Sequence, residues 1–116
     1  MSEYIIDLDD VLERIQGDKE LLVELVEIFL DDCPSKIDDI KECFKVNNFD
    51  QLAEVAHSAK GAAANIGAKK LWKTFLVTEE AAKSATAEQS EELVKRIDQE
   101  FDELKQYFPE LKIKLS

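Results

Sequence analysis

Hydrophobic side chains recur every three or four residues along most of the chain, the period of an α-helix that buries one face. The first such segment can be capped by Asp7 or Asp9, and it ends at Gly17, since glycine readily adopts the conformation that closes a helix. A second, longer segment starts after Asp18 and contains Pro34. Because proline lacks the backbone N–H that a helix interior needs, the pattern predicts a kink or break near Pro34.

Three further segments follow the same period. The third helix is predicted over 49–67, the fourth over 71–82 and the last over 93–108. Pro109 is expected to end the last helix, so that residues 110–116 form a loose C-terminal tail.

Amphipathic segments joined by short connections, with no strand pattern, are typical of a helical bundle. We predict an all-α fold: an antiparallel four-helix bundle with a short N-terminal helix and a kinked second helix. Residues 1–116 are expected to form one domain, in line with the usual size of domains. Three glycines and two prolines in the whole chain argue against a turn-rich β fold.

The composition excludes several function classes. With 26 acidic and 15 basic residues the net charge is −11, and such a surface repels a phosphate backbone, so nucleic-acid binding is not expected. No apolar run approaches the roughly 18 residues that span a membrane, and the N-terminus lacks the features of a secretory signal. Cys33 and Cys43 are too few for a disulfide framework. We expect a cytoplasmic protein with reduced cysteines, and we expect it to be a monomer.

The stretch 54–67, EVAHSAKGAAANIG, contains the only histidine of the chain. On a helix it separates into two faces, at 100° per residue. The apolar face carries Leu52, Val55, Ala59, Ala62 and Ile66. The other face carries His57, Lys60, Gly61 and Ala64, with Ala53 beneath them. The pattern therefore predicts an exposed imidazole surrounded by small side chains.

Two neighbours of His57 suggest a use for an exposed imidazole. Lys60 lies one turn on, where its ammonium can reach the negative charge of a phosphorylated ring, although such pairs also occur by chance. Gly61 costs about 1 kcal/mol relative to alanine inside a helix, among neighbours that are mostly alanine. Its alternative explanation is tight packing of another helix, but its place on the His57 face favours the close approach of a partner.

The charges around His57 differ from those of the whole chain. Residues 55–78 contain no Asp or Glu, and they contain four lysines: Lys60, Lys69, Lys70 and Lys73. This predicts a local positive patch that attracts an acidic partner or a phosphate. The alternative is a solvated basic face without function.

Other chemistries find little support. Neither GxxxxGK[ST] nor GxGxxG occurs, so ATP binding by those routes and autokinase activity are not expected. No nucleophile elbow accompanies His57 to suggest a Ser–His–Asp site. Glu54 and His57 form a Glu-x-x-His pair, but a di-iron bundle needs that motif twice and the chain has one histidine. We therefore expect no metal and no cofactor of its own, and Glu54 can simply be a solvated residue that slightly favours the imidazolium.

The run HSAKGAAANIGAKKL resembles the signature of histidine-containing phosphotransfer (HPt) domains. In that family the histidine is followed by Lys at +3, Gly at +4, two small residues, Gly at +10 and Leu at +14. The matching positions are His57, Lys60, Gly61, Ala62, Ala63, Gly67 and Leu71. Ala59 departs from the larger apolar residue that the family often has at +2. In outline the resemblance covers the whole chain.

The resemblance implies a phosphorelay intermediate, a phosphocarrier that receives a phosphoryl group on His57 and passes it on. Donor and acceptor would be aspartates of response-regulator receiver domains, which would also supply Mg²⁺, and a hybrid sensor histidine kinase is a further implied partner. Lys60 would stabilise the phosphoryl charge. The implied docking residues are Ala53, Glu54, Gly61, Ala64, Ala68 and Lys69. Two alternatives are a non-catalytic scaffold bundle that docks acidic signalling partners and, disfavoured by the missing nucleotide-binding segment, a histidine kinase.

Overall fold

The structure, a computed structural model, describes residues 5–116. Within that range every regular element is an α-helix, which confirms the predicted all-α class. The helices are α1 (Leu8–Arg14), α2 (Lys19–Val46), α3 (Phe49–Asn65), α4 (Lys69–Lys83) and α5 (Ser90–Leu115).

Four long helices pack in a ring around one apolar core. α3 packs against α2 and α4, α5 packs against α2 and α4, and the short α1 packs against α2. The periodic apolar positions of each helix meet in a continuous cluster. Its largest fully buried side chains include Phe75, Leu22, Ile40, Leu52, Ile66, Leu93, Ile97, Leu104 and Leu111. The predicted helices therefore bury their apolar positions in one core, which holds α3 between α2 and α4.

Three helices start where a short polar side chain caps them. Asp7, Asp18 and Asn48 each accept a hydrogen bond from the backbone N–H three residues on, at 3.2, 3.0 and 3.2 Å. Each bond satisfies one of the donors that a helix N-terminus leaves free. Of the two predicted caps for α1, Asp7 is the one used.

The connection after α3 depends on Gly67. Its φ of +70° is a left-handed conformation that side chains rarely adopt, and a Cβ there would lie 3.3 Å from the Asp7 carbonyl oxygen. The backbone N–H of Asp7 donates to the Gly67 carbonyl at 2.9 Å. This close approach ties the chain before α1 to the turn between α3 and α4.

Neither proline ends its helix. α2 continues through Pro34, so the predicted break is wrong, while the kink stays a prediction. Burial of Cys33 and Ile37 on either side of Pro34 favours one continuous helix despite the missing hydrogen bond.

The C-terminal prediction is also wrong. α5 continues through Pro109 to Leu115, so residues 110–116 are not a loose tail. Leu111 lies two residues beyond the proline and is fully buried in the core. Burying a leucine side chain stabilises the fold by about 1.5–3 kcal/mol, which is comparable to the cost of a proline inside a helix.

Candidate functional site

His57 lies in the middle of α3 and points outward, with 69% of its side chain exposed. The predicted exposure is therefore confirmed, but the apolar face of α3 is rotated from the predicted one. Ala56 and Ala63 are buried, whereas Val55 and Ala62 are only half-buried. α3 is contacted on two sides, by α2 and α4, and Ala56, Ala59 and Ala63 are fully buried between α3 and its neighbours.

The ring of His57 contacts a carboxylate from the next helix. Its Nδ1 lies 3.0 Å from Oε2 of Glu79 on α4, and the Glu79 side chain is only 7% exposed. Glu79 was missed by the sequence reasoning, which looked for acids near His57 in the chain and considered Glu54. One signal was available: Glu79 comes one turn after Phe75, on the side of α4 that otherwise carries buried residues.

Lys60 is bound to the same carboxylate. Its ammonium donates to Oε1 of Glu79 at 2.7 Å, and only 20% of its side chain is exposed. His57 and Lys60 are one turn apart on α3, and Glu79 holds both from the facing helix. The carboxylate thus fixes the imidazole and keeps a positive charge beside it.

The pKa of Glu79 is lowered, mainly by the hydrogen bond from Lys60, with a smaller effect from His57, and burial opposes the shift. Glu79 is therefore ionised at neutral pH and can only accept hydrogen bonds. Because folding lowers this pKa, the bonds to Glu79 stabilise the folded state at pH values above the ordinary pKa of a glutamate side chain. That contribution is lost as the pH falls through the lowered value.

An ionised Glu79 decides which nitrogen of His57 can react. Since the carboxylate only accepts, Nδ1 carries the hydrogen of this bond in the neutral ring. The lone pair of the neutral imidazole is then on Nε2. The geometry therefore presents a nucleophile with a defined tautomer on an exposed side chain.

Gly61 follows Lys60 on the exposed side of α3. A Cβ built there would meet nothing within 4 Å, so no packing within the described residues requires a glycine. This removes tight helix packing as the explanation for Gly61. The space beside Gly61 is open on the His57 side of α3, where the sequence predicts the approach of a partner.

A pair of substitutions at Gly61 separates stability from access. We expect Gly61→Ala to raise the free energy of unfolding by up to about 1 kcal/mol, because alanine is the better helix former and meets no neighbour. For the phosphocarrier function that the resemblance implies, Gly61→Gln should remain folded but slow phosphoryl transfer from a receiver by tenfold or more, because the longer side chain occupies the approach to His57. Urea unfolding and transfer rates measure the two effects, and unchanged transfer in Gly61→Gln contradicts the clearance role.

The proposed docking residues do not all reach the surface. Glu54 is exposed, Ala53 and Ala64 are half-buried, and Lys69 is exposed and paired with Asp7. Ala68, in the turn directly before α4, is part of the apolar core and only 2% exposed. The prediction that Ala68 contributes to a docking surface is therefore wrong.

The predicted positive patch is largely neutralised by acids from distant parts of the chain. Three of its four lysines form ion pairs: Lys60–Glu79, Lys69–Asp7 and Lys70–Glu103. In the described range only Lys73 of the four lacks an ion-pair partner. The prediction of a local positive patch is therefore wrong, and the charged groups beside His57 are the paired Lys60 and Glu79.

Between residues 5 and 116, no group of three or more His, Cys, Asp or Glu side chains is arranged to hold a metal ion. Across the same residues, none of the helices combines the length and the apolar character needed to cross a membrane.

The bundle thus presents a single oriented imidazole to solvent, with its second nitrogen bound to a buried carboxylate. The sequence profile of the family described as Hpt domain matches residues 24–107, and the chain belongs to that family. It therefore has a histidine-phosphotransfer role in a phosphorelay.

A solved structure has the same fold. It is the crystal structure of histidine-containing phosphotransfer protein B (HptB) from Pseudomonas aeruginosa PAO1. The two are 23% identical, with a TM-score of 0.85, and the similarity covers 97% of this chain and 98% of that one. At this identity the likeness shows the fold. None of the curated proteins matches the chain.

Proposed function

We propose that His57 is the phosphoacceptor, and that it receives its phosphoryl group from the phospho-aspartate of one receiver domain and passes it to the aspartate of another. The observation that carries this proposal is the bond between His57 Nδ1 and the buried Glu79. It leaves Nε2 of an exposed side chain as the nucleophile. The chain has one histidine, so no second imidazole competes for the role.

In the forward step, the lone pair of Nε2 forms a bond to phosphorus. The bond between phosphorus and the aspartyl oxygen breaks, and its electron pair stays on the receiver's carboxylate. Positive charge develops on the imidazole as the bond forms, and the ionised Glu79 stabilises that charge through Nδ1–H. The second transfer reverses these steps, with an aspartate carboxylate as the nucleophile.

Lys60 contributes charge to the same step. Its ammonium is already held one turn from His57 by Glu79, so little freedom is lost when it approaches the transferring group. Phosphoryl transfer depends mainly on positioning and charge stabilisation, and Lys60 supplies the second of these from this side. Mg²⁺ would come from the receiver.

The receiver would dock on the exposed side of α3 around Gly61, over the surface formed by Ala53, Glu54, Ala64 and Lys69. The absence of a side chain at Gly61 supports this placement, because nothing inside the bundle uses the space. A hybrid sensor histidine kinase is a further proposed partner. We also propose that the protein is a monomer located in the cytoplasm. Neighbouring long helices are proposed to run antiparallel, and α2 is proposed to have a kink at Pro34.

A transfer experiment tests the function. Purified receiver domains from the same cell are phosphorylated and mixed with the protein, and acid-labile phosphate on the protein is followed over time. At least one receiver should lose its phosphoryl group to the protein, and a second receiver should remove it again. If every receiver binds without transfer, the chain acts as a scaffold and the proposed function is wrong.

A further inference from the structure

Three nitrogen-bearing side chains lie within ion-pair distance of Glu79, and one of them has no role in the mechanism above. Lys60 binds Oε1, whereas His57 Nδ1 and the ammonium of Lys83 both lie on Oε2, at 3.0 and 3.5 Å. Lys83 is one turn after Glu79 on α4, and 68% of its side chain is exposed. The ammonium of Lys83 and the imidazole therefore interact with the same oxygen atom.

The hydrogen bond at Oε2 affects the phosphorylated ring as well as the free one. When Nε2 carries phosphorus and Nδ1 keeps its proton, the ring is cationic, and breaking the P–N bond releases a neutral imidazole. If Nδ1 loses the proton, the same bond can break only by releasing an imidazole anion, which is a much poorer leaving group. Retention of the Nδ1 proton therefore decides how quickly water, or an aspartate, can take the phosphoryl group.

A carboxylate beside the ring stabilises the cationic, protonated form. A second cation close to that carboxylate weakens this stabilisation, so the proton on Nδ1 is lost more easily. We propose that Lys83 is a positioning residue that prolongs the lifetime of phosphorylated His57, by sharing Oε2 of Glu79 with the imidazole. This inference rests on the proposed role of His57 as phosphoacceptor. Lys83 acts through Glu79 and needs no contact with the phosphoryl group.

The charged groups around this site come from two helices. α3 supplies Lys60 and, one turn before His57, the exposed Glu54; α4 supplies Glu79 and Lys83. In the part of the chain that the structure describes, α2 and α5 form no ion pair with His57 or Glu79. Removing the charge of Lys83 should therefore change the hold on Nδ1–H without disturbing another partner of Glu79.

The test measures the lifetime of the phosphorylated protein without any receiver. His57 is phosphorylated with potassium phosphoramidate, the reagent is removed, and loss of phosphohistidine is followed by ³¹P NMR from pH 6 to 9. Above neutral pH, Lys83→Gln should lose phosphate about two- to fivefold faster than the unsubstituted protein, the range expected for one exposed ion pair. The fall in rate with rising pH should shift to higher pH. Lys83→Arg should restore the original profile.

Two controls give the result its meaning. Lys73→Gln removes another exposed α4 lysine, one without an ion pair in the described range, and should leave the lifetime unchanged. In a Glu79→Gln background, Lys83→Gln should have no further effect. Equal lifetimes with and without Lys83, or a full Lys83 effect in the Glu79→Gln background, overturn the inference. Failure of the unsubstituted protein to take up phosphate overturns the proposed role of His57 itself.

Discussion

Replacement of His57 by glutamine is expected to abolish phosphate uptake from every receiver while leaving the fold intact. The side chain is 69% exposed, so the free energy of unfolding should change by no more than about 0.5 kcal/mol. Glutamine retains a hydrogen-bond donor for Glu79 but has no nucleophilic nitrogen. Acid-labile phosphate and circular dichroism measured on the same samples check both statements.

This result separates phosphotransfer from scaffolding. A scaffold needs the surface around residue 57 but not the imidazole, so His57→Gln should still bind receivers. We expect His57→Gln to bind receivers without taking up phosphate. The unsubstituted protein should bind receivers and take up phosphate. Phosphate on a variant that has no histidine would place the acceptor on another side chain and contradict the account.

Glu79→Gln is expected to slow phosphoryl transfer by about 10- to 100-fold. The amide is nearly the same size as the carboxylate, but it is uncharged and cannot stabilise the positive charge that develops on the His57 ring. The loss corresponds to a hydrogen bond to a charged group, about 1.5–3 kcal/mol in the transition state. Lys60 also loses its anionic partner, so the free energy of unfolding should fall by roughly 1–3 kcal/mol.

The matched control is Glu80→Gln, one residue further along α4. Glu80 is exposed, and within residues 5–116 it forms no ion pair, so its substitution removes the same charge without touching the site. Single-turnover transfer rates from a phosphorylated receiver distinguish the two variants. If Glu79→Gln and Glu80→Gln transfer at the same rate, Glu79 does not orient or stabilise the reacting ring.

The parts of the fold that depend on local chemistry could be predicted from the sequence. Asp7 and Asp18, the caps of α1 and α2, interact with backbone groups three residues away, so these helix starts can be identified from short segments. The exposed side of α3 follows from the helical period in the same way. The rotation of the buried face toward Ala56 and Ala63 does not, because it depends on how α2 and α4 pack against α3.

The missing half of the site is a long-range contact. Glu79 lies 22 residues after His57, and the two meet only because α3 and α4 pack side by side. The ion-pair partners of Lys69 and Lys70 are likewise distant in the chain, at Asp7 and Glu103. The distribution of charge along the chain therefore predicted a positive patch where the lysines are in fact paired. Pro109 failed as a stop signal for a related reason, since burial of Leu111 in the core outweighs the local preference.

The most direct test of the account is NMR of the ¹⁵N-labelled imidazole of His57 before and after phosphorylation. Before phosphorylation the account predicts a proton on Nδ1 and an unprotonated Nε2, the tautomer that Glu79 selects. Afterwards it predicts ³¹P–¹⁵N coupling to Nε2. A proton on Nε2 in the free neutral ring, or phosphorus coupled to Nδ1, would contradict the assignment of Glu79 as the group that orients the nucleophile.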